Sequence, residues 1–149
     1  MRPVLACLVA AFPLAPALAA DPSPGLELSR AWTPAVTKTG TDTPLYLTIA
    51  NRASEPEELL RVRCPVAHFS EKRTTDKGEG APSAREVKAI PIPPNETVTL
   101  TPGGSYVMLL ETTQILKQGE TFSCSLAFRK AGSRQIEVAV AAEGAQSAP

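Results

Sequence analysis

Few side chains in this chain are able to do chemistry. It holds three cysteines, Cys7, Cys64 and Cys124, and one histidine, His68, in 149 residues. Around a single imidazole no Ser-His-Asp or Cys-His arrangement is readable. No Gly-rich phosphate loop follows a strand, and no intact metal motif is present. A Cys-x-x-Cys pair, the usual basis of thiol–disulfide catalysis, is also missing. An enzyme is therefore not expected. Cys64 and Cys124 remain as a pair, and what they do depends on the compartment and on the elements that carry them.

The compartment is indicated at the start of the chain. Met1-Arg2, the apolar run from Pro3 to Phe12 and the small-residue site Ala17-Leu18-Ala19 describe a secretory signal peptide over 1–19, cut after Ala19. Pro13 and Pro16 interrupt the run and argue against a membrane anchor. Cys7 lies too near the start for a lipoprotein acceptor and is read as part of the discarded segment. About 130 residues then remain, enough for one domain with a core. Lys and Arg number 15 against 15 Asp and Glu, so nothing points to nucleic acid or to an anionic membrane surface. The mature product is expected in the periplasm or secreted, with no membrane span. In that setting two cysteines favour a Cys64–Cys124 disulfide, the alternative being two separate buried thiols.

The elements that must position these residues read as strands. After a Pro-rich leader over 20–25, apolar residues recur with period two. Leu26 and Leu28, with Ala31-Trp32, form a first strand. Leu45, Leu47 and Ile49 form a second, and Leu60 and Val62, leading to Cys64, a third. Val87 to Ile92 and Thr97 to Leu100 flank the turn Pro93-Pro94-Asn95. Tyr106 to Leu110 follows Pro102-Gly103-Gly104. Phe122, Cys124, Leu126 and Phe128 alternate with Ser123, Ser125 and Ala127, and Ile136, Val138 and Val140 alternate again. No 3.6-residue period is sustained. The expectation is an all-β antiparallel sandwich over 26–140, with a disordered tail over 141–149. Both cysteines face inward, from strands distant in sequence, and are expected to meet between the sheets. Closing so long a loop would stabilise by about 4 kcal/mol in the chain-entropy view. Glu71, Lys72, Arg73, Asp76, Lys77, Glu79, Arg85, Glu86 and Lys88 form a charged stretch, read as a solvated hairpin or as an edge for docking a partner.

Several segments resemble a known family. Cys64-Pro65-Val66-Ala67, Ile90-Pro91-Ile92-Pro93 and Pro102-Gly103-Gly104-Ser105-Tyr106-Val107-Met108-Leu109 are similar to landmarks of the periplasmic PCu(A)C copper chaperones. Leu45-Tyr46-Leu47-Thr48-Ile49, Asn51 to Pro56, Leu116 to Glu120 and Phe128 to Gly132 follow the family's order, so the resemblance runs from Trp32 to Val140. It implies a cupredoxin-like β-sandwich and, as cargo, Cu(I) held by two His and two Met. The family's spacing is His, ten residues, Met, twenty-one residues, His, one residue, Met. Laid on this chain without a gap, it places these ligands at Arg73, Ala84, Tyr106 and Met108.

Only Met108 is a ligand type. Cu(I) is soft and needs several thioether or imidazole donors converging. Arg73 brings a permanent positive charge and Tyr106 a phenol, while Ala84 offers no donor. The candidate metal residues are thus Met108 and His68, the latter five residues before the family's first His position. Two functions follow. One is a copper chaperone-like exported protein in periplasmic copper handling or copper delivery to cytochrome oxidase, with most Cu(I) ligands missing. The other is a metal-free domain on the same scaffold that binds a protein partner.

Overall fold

A computed structural model describes residues 25–149; the expected signal peptide, Cys7 and all of the leader except Gly25 lie outside the described residues. Among the described residues ten strands form: β1 (Leu26–Pro34), β2 (Thr43–Asn51), β3 (Glu57–Arg63), β4 (Ala67–Asp76), β5 (Ser83–Glu86), β6 (Ile90–Ile92), β7 (Thr97–Thr99), β8 (Ser105–Thr112), β9 (Thr121–Phe128) and β10 (Gly132–Ala141). Their order along the sheet is β5-β4-β8-β2-β1-β10-β9-β3-β6, with β7 also on β2. The first half of β2 pairs with β8 and its second half with β7. One core cluster takes Val107 and Leu109 from β8, Leu45, Leu47 and Ile49 from β2, and Leu59, Val62, Leu126 and Val138 from the far end of the path. A single core fed from both ends requires the sheet to fold over on itself, which gives the expected all-β, sandwich-like single domain.

Bulges decide which residues face that core. In β1 the register slips between Ser29 and Trp32, with Arg30 at φ 52°. The extra residue reverses the alternation. Leu26 and Leu28 pack on the main core, as does Ala31, while Trp32 turns to the opposite face. A second slip lies between Leu59 and Arg61 in β3. This corrects one expectation: Leu59, not Leu60, is fully buried, and Leu60 is only partly covered. Beyond the bulge Val62 and Cys64 point inward, as their alternation implies.

Cys64 and Cys124 are joined, with Cα atoms 4.5 Å apart. The disulfide does not bridge two sheets, which corrects the expectation from sequence. Val62 pairs with Leu126 and Arg63 with Ser125, so Cys64 falls directly opposite Cys124 on the neighbouring strand. The separation is that of a non-hydrogen-bonded antiparallel pair. β3 and β9 are distant in sequence yet adjacent in space, and only the pairing pattern reveals this.

At the other end, Ala141 closes β10 and is buried, which corrects its expected place in the tail. Ala145 packs back on Trp32, Tyr46 and Ala141, because the apolar face left outward by the β1 bulge needs cover. At the opposite end of β1, where Leu26 pairs with Asn51, the loop after β2 is held by Asn51, whose Nδ2 donates to the Glu55 carbonyl at 2.8 Å and whose Oδ1 accepts from the Ala53 N–H at 3.0 Å.

Glu57 is buried at the start of β3. Its carboxylate accepts N–H groups from Glu58 at 2.9 Å, Lys130 at 2.9 Å and Ala131 at 2.8 Å. Burial by itself pushes this carboxyl up. The three N–H groups, with the Lys130 charge, outweigh that effect and hold it below its ordinary value. A depressed folded-state pKa contributes stability above the unfolded pKa, and this is lost as pH falls through the folded value. Glu57→Gln should therefore lose about 1–3 kcal/mol at neutral pH in urea unfolding. The difference should shrink on acidification below the ordinary carboxylate range. A loss independent of pH would show that the charge of Glu57 is not what the turn uses.

Candidate functional site

Directly paired residues of antiparallel strands share a face, as do residues two apart in one strand. Arg73 pairs with Tyr106 and Glu71 with Met108, while Thr75 pairs with Ala84 on β5. Arg73, Ala84, Tyr106 and Met108 therefore all lie on the outward face of β5-β4-β8, opposite the buried Val107 and Leu109. The four positions mapped by spacing form one surface, although β5 and β8 are far apart in the chain.

What occupies this surface is an ion pair with an aromatic ladder beside it. Arg73 Nη2 lies 2.8 Å from Glu71 Oε2, and Nε donates to the same oxygen at 3.1 Å. The hydrogen bond from Arg73 to Glu71 raises the Arg73 pKa; partial burial opposes this, and the neighbouring Tyr106 raises it further. The guanidinium thus keeps its charge at the family's first His position. Tyr106 lies 6.2 Å from Tyr46 between ring centroids, and Tyr46 lies 4.7 Å from Trp32. Burial, then the neighbouring Tyr106, pushes the Tyr46 phenol up, so it stays protonated at neutral pH.

His68 is placed elsewhere. Ser70 pairs with Leu109 and Lys72 with Val107, so the even-numbered residues of β4 face the side away from Met108. His68 belongs to that set, and its ring lies 6.2 Å from Phe69. The structure therefore brings Met108 to Glu71, Arg73 and Tyr106 but puts His68 on the other face. Among the described residues, no group of three or more His, Cys, Asp and Glu is arranged to hold a metal. In the charged hairpin Arg85 pairs with Asp76 at 2.6 Å, so these charges satisfy one another across β4 and β5.

Two contributors escape a reading of the sequence. Glu71 is visible as one charge among many but not as the partner of Arg73, although an i, i+2 spacing within a strand is a signal for it. Glu57 carries no sequence signal, because two of its three donors come from a turn more than seventy residues away.

The LpqE-like family model, described as a lipoprotein type, matches residues 26–140. Among solved structures, a copper-bound PCuAC domain from PmoF2 is 27% identical, with 80% of this chain and 94% of that one covered and a TM-score of 0.69. The apo PCuAC domain from PmoF1 is 27% identical, covering 80% and 95%, with a TM-score of 0.68. The solution structure of Cu(I)-DR1885 from Deinococcus radiodurans is 25% identical, covering 87% and 86%, with a TM-score of 0.62. No curated protein matches the chain.

Proposed function

Because this chain belongs to the LpqE-like family of PCuAC-type domains, we propose that it works as an exported, non-enzymatic module that binds a protein partner and does not carry Cu(I). The observation that carries this reading is the Arg73–Glu71 ion pair, on the residue paired directly with Tyr106, where relatives are expected to present soft ligands. A guanidinium held charged there repels a cation, and the one thioether beside it is a weak ligand by itself. His68 supplies no second donor from the opposite face. Export, to the periplasm or beyond the cell, fits the lipoprotein description of the family. No described helix is long and apolar enough to cross a membrane.

A second reading, copper handling with delivery to a partner such as cytochrome oxidase, is favoured by the likeness to a copper-bound domain and by the retained Met108. A Cu(I) competition titration separates the two. The oxidised protein should form no one-to-one complex tighter than micromolar. A sub-micromolar complex, weakened by Met108→Leu or His68→Ala, would establish copper carriage and overturn the first reading.

A further inference from the structure

We propose that an aromatic row on the outward sheet face docks a proline-rich segment of the partner protein, and that the chain's own C-terminal residues cover the row until displaced. This deepens the partner-binding reading and rests on it. Trp32 on β1 pairs with Tyr46 on β2, and the Leu45–Val107 pair sets Tyr46 beside Tyr106 on β8. Arg73 on β4 pairs with Tyr106 and ends the row. The rings of Trp32, Tyr46 and Tyr106 thus cross adjacent strands on one face, with centroids 4.7 and 6.2 Å apart.

The cover is slight. Trp32 and Tyr46 are buried, and from the segment after β10 it is Ala145 that packs on them. Among the described residues, the hydrogen bonds of 142–149 stay inside that segment. The Ala145 N–H donates to the Ala142 carbonyl at 3.1 Å, and the Gln146 side chain to the Gly144 carbonyl at 3.3 Å. The segment pairs with no strand. It also leaves the space around it unfilled. A cavity of about 520 Å³ lies between Gly144 and Pro44 beside Tyr46, and one of about 370 Å³ between Ser147 and Pro102 beside Trp32. A small side chain seated between two open spaces buries little apolar area, so a better-filling segment replaces it.

The rings select the segment. Their planes are tilted by 39° between Trp32 and Tyr46 and by 54° between Tyr46 and Tyr106, so they make ridges and gaps, not one flat platform. Such gaps take compact apolar side chains, as Ala145 shows. Proline is the compact residue with most to gain there. Its ring covers more apolar area than a methyl group, and a polyproline helix is already extended, so little order is lost on docking. A neutral segment suits the row's end, because Arg73 is already ion-paired to Glu71 at 2.8 Å.

Trp32 is the one tryptophan of the chain, so its emission reports the cover directly. In the full chain, Ala145→Asp sets a carboxylate against the rings and should release the segment. Trp32 emission should then move to longer wavelength, and acrylamide quenching should rise at least about twofold. The probe is a labelled peptide of three Ala-Pro-Pro repeats, followed by fluorescence anisotropy. Saturable binding is expected, at least about 10-fold tighter to the Ala145→Asp chain than to the native one, because the covered state takes no peptide. Adding Tyr106→Ala should weaken it at least about 10-fold, while Tyr106→Phe stays within about threefold; thermal melting checks that each variant folds. A peptide with every Pro replaced by Gly should bind at least about 10-fold more weakly. Unchanged Trp32 emission, no saturable binding, equal binding by the two chains, indifference to Tyr106→Ala or equal binding of the Gly peptide would overturn the assignment. So would an Ala145→Asp chain that dimerises, buries Trp32 again and excludes the peptide, since a second copy would then occupy the face. The Cu(I) titration is independent of these outcomes. A tight copper complex overturns the metal-free reading alone, and a silent peptide titration overturns the docking assignment alone.

Discussion

Arg73→His, Ala84→Met and Tyr106→His, combined on a chain that keeps Met108, should create a Cu(I) site. Competition against a chromophoric Cu(I) chelator should show one-to-one binding at least about 100-fold tighter than in the native chain, a difference of about 2.7 kcal/mol. The expectation rests on geometry. Positions 73 and 106 are directly paired, 108 is two residues along the same face, and 84 faces outward from the next strand. The substitutions supply two imidazoles and a second thioether, the donors a soft cation needs, and they remove the guanidinium charge. Tyr106→His alone should gain little, because Arg73 stays charged beside it. A triple variant that folds with unchanged strand content yet binds Cu(I) no better than the native chain would show that these positions do not converge. The mapping of the family's ligands would then fail.

Loss of the disulfide should be the largest single blow to stability. Cys64→Ala with Cys124→Ala is expected to lower the unfolding free energy by about 4 kcal/mol in the chain-entropy view, since the bond closes a loop of 60 residues. Both cysteines are buried, and the variant also gives up their packing. The bond matters locally as well: β3 beyond Leu59 is paired on one side only, by β9. Without the tie, amides of Val62 to Cys64 should exchange faster than those of β8. Guanidinium unfolding of oxidised, reduced and doubly substituted protein would measure the effect. A cost below about 1 kcal/mol would mean that β3 and β9 hold together through their ladder and core contacts alone.

Much of the fold is readable in the sequence because strand alternation is a local property. Phe122, Cys124, Leu126 and Phe128 announce β9, and Leu45, Leu47 and Ile49 announce β2, since a two-residue period puts every apolar side chain of a strand on one buried face. The turn at Pro93-Pro94-Asn95 is equally plain, and Asn95 sits at φ 56°, a conformation Asn tolerates. Leu60 misleads because a bulge is one inserted residue, and its position depends on how β3 must curve against β9 and not on its own composition.

By itself, the order of residues determined the all-β class, the inward aim of both cysteines and the residue types standing at the four ligand positions. The tertiary structure alone decided that the disulfide joins neighbouring strands, that Glu71 neutralises Arg73, and that His68 and Met108 lie on opposite faces. The division has one cause. A side chain's face follows from its own strand's two-residue period. Which charges pair and which donors converge depend on strands brought together from distant parts of the chain.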